Sequence, residues 1–184
     1  MSLALGLVEF NSIAKGTEST DIMVKTAQVE LITARAVCPG KYIGLISGEV
    51  SAVESSVAAG IEKGQQFVVD TFILPNVHAS LLEAFNNTSI IPDSKPGALG
   101  IIETFSIASI ILAADAAAKA SDVEVIDLKV GIGIGGKGVA YFSGEISAVE
   151  AAVQVGTGIV AERGLLVQSV VVPIPDMAIW NSLG

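Results

Sequence analysis

The stretch Ser47–Gly60, SGEVSAVESSVAAG, decides the fold, because it recurs as Ser143–Gly156, SGEISAVEAAVQVG, with 9 of 14 positions identical. An earlier block repeats in the same way: Ala4–Ile32 matches Ala98–Ile126 at 12 of 29 positions. Similarity over such spans is typical of a tandem repeat of one structural unit. The offset between the copies grows from 94 to 96 residues between the two blocks, so the second copy has a two-residue insertion near Gly131–Gly136.

The two copies are joined by a segment rich in turn-forming residues. Asn86–Gly97, NNTSIIPDSKPG, contains two prolines and several small polar residues. Such a composition is typical of a linker between structured segments. We therefore predict two domains, residues 1–92 and residues 93–184.

Within the first copy, the spacing of apolar residues alternates between the period of a strand and the period of a helix. The predicted elements are a strand, a helix, two strands, a helix and a strand, over residues 3–10, 13–27, 29–37, 42–46, 51–64 and 67–74, followed by a short tail helix at 80–85. Pro39 and Gly40 separate the two middle strands and predict a tight turn there. The order βαββαβ predicts an α+β fold of two tandem ferredoxin-like units.

Two sequence signals predict how the second helix of each copy begins. Ser51 is followed three residues later by Glu54, and Ser147 is followed in the same way by Glu150. This spacing is typical of a capping box, in which the serine is the N-cap. We therefore expect these two helices to start just after Ser51 and Ser147.

Composition narrows the classes of function. The 184-residue chain is 51% hydrophobic and 16% charged, a composition that is too apolar for a disordered chain. Its net charge of −9 argues against binding to the phosphate backbone of a nucleic acid. The longest apolar stretch, Ile107–Ala120, includes Asp115 and Lys119 and is too short to cross a membrane. So much apolar surface in a small chain predicts burial between subunits. With Cys38 as its single cysteine, the chain has no internal disulfide, as is usual in the cytoplasm.

Several motifs together resemble the bacterial microcompartment shell domain. They are a Gly-(Leu/Ile)-(Val/Ile)-Glu strand, a helix with Asp and Lys four residues apart, the SGE(V/I)SAVE segment and the ILPNVH strand end, and they cover both copies. The resemblance implies a pseudo-hexameric trimer without enzymatic activity. It also implies that this trimer packs with other shell proteins into a cytoplasmic shell around enzymes. Lys25 and Lys119 are implied to lie at the edge of each tile.

A narrower resemblance concerns the turn at Cys38. Val37–Lys41 together with Gly133–Lys137 is similar to the tandem-domain shell protein of propanediol-utilisation compartments, which carries an iron-sulfur cluster at its centre. The resemblance implies a homotrimer that binds one [4Fe-4S] cluster on its threefold axis through Cys38, with Pro39 and Gly40 beside it. Its role would be electron transfer across the shell, or cluster delivery, with redox enzymes inside as partners. The residues expected to line the central pore are Lys41, Ile134, Gly135 and Gly136.

Ligand counting explains why a trimer matters for this chemistry. One thiolate cannot hold a transition-metal centre, but a closed trimer can bring three Cys38 thiolates to one axis. Three thiolates match three irons of a [4Fe-4S] cluster. Pro39 would stiffen the turn, and Gly40 would leave backbone N–H groups to face the cluster sulfides. Three alternatives remain: zinc with three thiolates and a water, a buried apolar Cys38, or a metal-free tile whose pore passes small polar metabolites.

Other candidate sites have structural interpretations. The glycines of Gly131–Gly136 precede a strand-like run rather than a helix, which argues against a phosphate-binding loop. Glu9 and Glu103 occupy equivalent strand positions and are expected to be structural hydrogen-bonding groups. His78 is expected to cap or pack, and Trp180 is expected to pack.

Overall fold

The computed structural model describes residues 4–81 and 97–183. These residues divide into two compact units. Unit 1 contains residues 4–77 together with 106–109 and 131–136, and unit 2 contains the rest of the described chain. The predicted boundary between residues 92 and 93 lies outside the described residues, as does most of the tail helix predicted at 80–85. The described residues of this region are helical at 79–81.

In the described part of the first copy, four strands and two long helices form the repeating unit. Its strands are β1 (Ala4–Phe10), β2 (Val29–Val37), β3 (Lys41–Gly48) and β4 (Val68–Leu74), and its helices are α1 (Ile13–Thr26) and α2 (Val50–Gly64). The strands form an antiparallel sheet in the order β2-β3-β1-β4.

The second copy repeats this arrangement. Its strands are β5 (Ala98–Thr104), β6 (Glu124–Val130), β7 (Gly138–Gly144) and β8 (Leu166–Val172), and its helices are α3 (Ile107–Ala120), α4 (Ile146–Ala161) and the short α5 (Met177–Trp180). The sheet order is β6-β7-β5-β8, again antiparallel. Both copies therefore follow the predicted βαββαβ order, and the predicted α+β fold of two tandem units is confirmed.

The central strand β1 is buried on both faces. Successive residues of a strand point to opposite sides of the sheet. On one side, Val8 and Phe10 pack with Met23 of α1 and Val53 of α2. On the other side, Leu5, Leu7 and Glu9 are also almost fully buried. This two-sided burial explains why β1 is a continuous apolar run interrupted by a single acidic residue.

The predicted capping boxes are wrong. Helix α2 begins at Val50 and α4 begins at Ile146, and their N-caps, Glu49 and Glu145, make no side-chain cap hydrogen bond. Each helix starts one residue after a strand that ends at glycine, so Ser51 and Ser147 lie inside the first turn, two positions after the N-cap. The predicted end of α2 at Gly64 is confirmed.

The C-terminal segment packs on the sheet of unit 2. Trp180 is fully buried in a cluster with Leu99 and Ile126, which confirms the packing role expected from the sequence. The apolar stretch Ile107–Ala120 is helix α3, and most of its residues are buried. Over the two described ranges, no helix combines the length and apolar character needed to cross a membrane.

Candidate functional site

Cys38 lies in the tight turn between β2 and β3. Strand β2 ends at Val37, β3 begins at Lys41, and the Cys38 side chain is exposed. The Gly40 N–H donates to the Val37 carbonyl at 3.1 Å, which closes the turn, and the Cys38–Pro39 peptide is cis. Gly40 has φ +89°, a conformation that glycine adopts far more readily than other residues. The turn therefore presents one accessible thiol per chain.

One expectation about this turn is wrong. Gly40 was expected to leave backbone N–H groups available to cluster sulfides, but its own N–H is bonded to Val37. The Cys38 N–H donates to the Gly131 carbonyl, and Pro39 has no N–H. The Gly40 N–H is committed because it closes the turn between β2 and β3, and the Cys38 N–H is committed because it binds the glycine loop. None of the three turn residues has an uncommitted backbone donor.

The glycine loop Gly131–Gly136 belongs to unit 1 and lies against the Cys38 turn. The Cys38 N–H reaches the Gly131 carbonyl at 3.1 Å. A Cβ at Gly136 would overlap the Cys38 carbonyl and lie 2.9 Å from Pro39 Cδ, and a Cβ at Gly131 would lie 2.8 Å from Val37 Cβ. Glycine at both positions is therefore required for the loop and the turn to approach this closely.

The middle of the same loop has a different environment. Added Cβ atoms at Gly133 and Gly135 would meet no atom within 4 Å, although both residues have positive φ, +74° and +66°. Ile134 between them is half-buried. Of the residues expected to line a pore, Gly135 is thus exposed, whereas Gly136 is buried against the turn. Their lining of a pore stays a prediction, because a pore needs more than one chain.

Lys41 is held by a buried carboxylate. Its Nζ lies 2.8 Å from Glu9 Oε1, and the two side chains are 19% and 0% exposed. The other oxygen, Glu9 Oε2, accepts from the backbone N–H groups of Ile107 at 2.9 Å and Ala108 at 3.3 Å. Glu9 is therefore a structural hydrogen-bonding group, as expected, and it neutralises the charge of Lys41 within the chain. The pore-lining role of Lys41 stays a prediction.

Sequence reasoning missed a second buried carboxylate. Asp70 on β4 lies opposite Glu9 on β1. Its Oδ2 accepts from the hydroxyls of Ser106 and Ser109, the latter at 2.8 Å. The available signal was an acidic residue in an otherwise apolar strand, since such a residue is rarely buried without partners. Together Glu9 and Asp70 satisfy the polar groups at the start of α3 inside unit 1.

The two predicted tile-edge lysines each pair with an aspartate one helical turn earlier. Lys25 Nζ lies 2.6 Å from Asp21, and both side chains are more than half exposed. Lys119 Nζ lies 2.5 Å from Asp115, which is buried and also accepts from the backbone N–H of His78 at 2.8 Å. His78 Nδ1 in turn contacts Ser80 Oγ at 2.8 Å, so this histidine stabilises a local turn, in line with its expected capping role. The edge position itself stays a prediction.

The chemistry of the donors fits a centre shared by several chains. Among the residues that the structure describes, no three His, Cys, Asp or Glu side chains of one chain could hold a metal ion. Cys38 supplies one soft, exposed thiol, and the neighbouring Gly40 adds no side chain that would obstruct a bulky group. Soft thiolates are the ligands of iron-sulfur clusters and of many zinc sites. A single chain therefore offers one ligand of the expected kind.

Comparison with known proteins gives a consistent result. The sequence profile of the BMC domain matches residues 4–77 and 98–175. The bacterial microcompartment shell protein PduT of Citrobacter freundii is 40% identical over 183 residues, which cover 100% of this chain and 98% of that protein. The carboxysome assembly protein CcmO of Synechococcus elongatus is 28% identical and matches 98% of this chain and 68% of its own length.

Solved structures agree with these matches. A microcompartment protein from Desulfitobacterium hafniense DCB superposes with a TM-score of 0.85 at 49% identity, covering 97% of this chain and 98% of that one. The fused permuted hexameric shell protein MSM0275 from the RMM microcompartment superposes with a TM-score of 0.65 at 23% identity, covering 87% and 82%. The second likeness concerns the fold alone.

Proposed function

Because the chain belongs to the BMC-domain family and is a tandem-domain shell protein of bacterial microcompartments, we propose that three copies form a closed tile that binds one [4Fe-4S] cluster through Cys38 of each copy. The tile would assemble with other shell proteins, as a shell component rather than an enzyme. When bound, such a cluster supplies one-electron transfer, so the tile could pass electrons across the shell or deliver clusters to redox enzymes inside.

The exposure of Cys38 is the observation that carries this proposal. A lone cysteine in an apolar chain is usually a buried hydrophobic residue. Here the cysteine is exposed in the turn between β2 and β3 instead of being buried in the core. A closed ring places equivalent residues of its subunits at equal distances from one axis. An exposed turn facing that axis would bring three thiols together.

The residues around Cys38 support a fixed orientation of the thiol. The Cys38 N–H is bonded to Gly131, the Gly40 N–H is bonded to Val37, and the ring of Pro39 restricts its own backbone. These constraints lower the entropy that the turn would lose when its thiol becomes a ligand. The lack of a side chain at Gly40 and Gly135 leaves space on the exposed side of the turn and loop.

Anaerobic purification of the full chain tests the proposal. We expect a brown protein that runs as a trimer and contains about four iron atoms per three chains. Cys38→Ser should lose the colour and the iron while remaining trimeric, because the thiol is exposed and makes no packing contribution. Native mass spectrometry and metal analysis of the same sample give both readouts.

The same experiment separates the alternatives. A colourless trimer without metal would contradict the cluster and favour a tile whose opening passes small polar metabolites. Zinc in place of iron, lost in Cys38→Ser, would keep the shared thiolate site but identify another metal. A monomer under all conditions would contradict both the ring and the cluster.

A further inference from the structure

The start of helix α3 shows how this fold satisfies a helix N-terminus. The first N–H groups of a helix have no partner within the helix. In α3, the Ile107 and Ala108 N–H groups donate to Glu9 Oε2 at 2.9 and 3.3 Å. Glu9 and Ile107 are both fully buried. A carboxylate at this position also interacts favourably with the positive end of the helix dipole.

The repeat contains a second copy of both partners. At the same offset of 94 residues, Glu103 on β5 corresponds to Glu9, and Ile13 at the start of α1 corresponds to Ile107. The strand register agrees, because Glu9 lies opposite Ile43 and Glu103 lies opposite the equivalent Val139. The chain therefore contains two carboxylates and two helix starts of the same kind.

The second pair is not joined within the described chain. Glu103 is 30% exposed and receives a bond only from Lys137 Nζ, at 2.9 Å on Oε1, so among described residues its Oε2 has no donor. At the start of α1, the Ser12 side chain accepts from Lys15, and its carbonyl accepts from Gly16. No described residue accepts from the N–H groups of Ile13 and Ala14, and Ile13 is 46% exposed.

The apolar surroundings show the same difference. Leu7 and Phe72 lie beside Glu9 on the same face of the unit 1 sheet and are at most 4% exposed. Their equivalents beside Glu103 are Ile101, which is half-buried, and Val170, which is 44% exposed. Val170 thus leaves exposed apolar surface beside an incompletely bonded carboxylate, while the exposed Ile13 lies at the start of α1.

We propose that Glu103 of one copy accepts hydrogen bonds from the Ile13 and Ala14 N–H groups of the next copy, reproducing between chains the contact that Glu9 makes with α3. The occupant is a second copy of this chain because both complementary halves are surfaces of this chain. A contact between two different patches is head-to-tail, and repetition of it can close a ring. The inference rests on the ring proposed above and assigns the polar contact that would join its subunits.

The two sites differ in the residue that lies opposite the glutamate on the neighbouring strand. In unit 1, Asp70 assists Glu9 by accepting from Ser109. The equivalent of Asp70 is the neutral Gln168, which lies opposite Glu103 and accepts from its own neighbour Ser169 at 3.0 Å. The carboxylate of Glu103 is therefore the only anionic acceptor at the second site in the described structure.

A double-mutant cycle on the full chain tests the contact. Glu103→Gln removes the charge of the acceptor, and Ile13→Pro removes one donor. Proline is tolerated at the first position of a helix, and the extended backbone of Ser12, φ −139° and ψ 123°, is compatible with a following proline. Ile13→Ala keeps the N–H and truncates the same side chain, so it serves as the matched control. The dissociation constant of the assembly is measured by analytical ultracentrifugation.

We expect Glu103→Gln and Ile13→Pro each to raise that dissociation constant by about tenfold or more, since bonds to charged acceptors are the stronger ones. The two effects should be less than additive together, whereas Glu103→Gln and Ile13→Ala should be more nearly additive. Hydrogen exchange should also become faster at Ile13 and Ala14 in Glu103→Gln. A stable trimer unaffected by Glu103→Gln, or full additivity with Ile13→Pro, would overturn this contact alone. A wild-type monomer would instead overturn the ring.

Discussion

The backbone N–H of Cys38 donates to the carbonyl oxygen of Gly131 at 3.1 Å, so the β2–β3 turn is fastened to the glycine loop. This bond makes the position of the only thiol depend on residues almost a hundred positions later in the sequence. Substitutions at the loop positions that contact the turn should therefore affect both stability and any metal bound at Cys38.

Gly136→Ala should displace the Cys38 turn. The new Cβ would overlap the Cys38 carbonyl, and the positive φ of +77° adds backbone strain. We expect a loss of about 3 kcal/mol in the free energy of unfolding and a lower iron content. Gly133→Ala is the matched control, because its φ is +74° but its Cβ would meet open space. It should cost about 1 kcal/mol and leave iron binding unchanged. Equal losses in the two variants would contradict the proposed packing.

Glu9→Gln should destabilise the fold without changing its shape. The substitution keeps an oxygen acceptor for the start of α3 but removes the charge that balances Lys41. Breaking a buried ion pair in this way should cost about 3 kcal/mol, measured by urea denaturation at fixed protein concentration. The control is Asp21→Asn in the exposed pair with Lys25, which should change stability by less than about 1 kcal/mol. Similar effects of the two substitutions would argue against the buried role of Glu9.

The pH dependence of stability should include a contribution from Glu18. Hydrogen bonds from Lys15 and then from Lys63 lower the pKa of this carboxyl from 4.5 to about 2. Because the folded state has the lower pKa, the stabilisation is complete above 4.5 and is lost as the pH falls from 4.5 towards 2. Glu18 is exposed, so the effect should be small and should weaken further in high salt.

The measurement for Glu18 compares urea midpoints across this acid range. Glu18→Gln should show a smaller decrease in midpoint than the natural chain between pH 4.5 and about 2. Added salt should bring the two proteins closer together. If the two curves stay parallel at low salt, these lysines do not stabilise the charged form of Glu18.

Lys25→Ala should impair the packing of tiles while leaving each tile intact. Its side chain is 68% exposed and pairs with the exposed Asp21, so the fold itself should not need it. We expect fewer ordered sheets in electron micrographs, with an unchanged mass by native mass spectrometry. Lys63→Ala, at an exposed pair on α2, is the control and should still form sheets. Normal sheets of Lys25→Ala would remove this residue from the tile edge.

Lys119→Ala should give a different result from Lys25→Ala. Lys119 pairs with the buried Asp115, which also accepts from the His78 N–H. Removal of the lysine leaves a buried carboxylate with one partner fewer, so we expect a lower melting temperature as well as poorer sheets. An unchanged melting temperature would show that the His78 contact alone satisfies Asp115.

The fold could be predicted because the same sequence pattern occurs twice in the chain. Apolar periodicity and the Pro39-Gly40 turn fixed the order of elements in the first copy, and the second copy repeats them. The capping boxes failed for a local reason: the spacing of Ser51 and Glu54 is the same whether the serine precedes the helix or lies in its first turn. Only the backbone path after Gly48 decides between these two cases.

The site was less predictable, because its contacts join distant positions. That Cys38 lies in a turn follows from its neighbours in sequence. The bond to Gly131 and the bonds from Glu9 to Ile107 and Ala108 connect residues that no local pattern relates. The amides of the turn were also misjudged, because closing the turn uses the Gly40 N–H that sequence reasoning had left available.

The unequal loops of the two halves have a consequence for stoichiometry. Only the first half has Cys38 in its turn, while the second half has the longer loop that begins at Gly131. Six identical subunits would have to carry six thiols or none. Fusion of two diverged halves permits an odd number of identical ligands around one axis, and it would let the neighbouring glycine loops shape the wall beside those ligands.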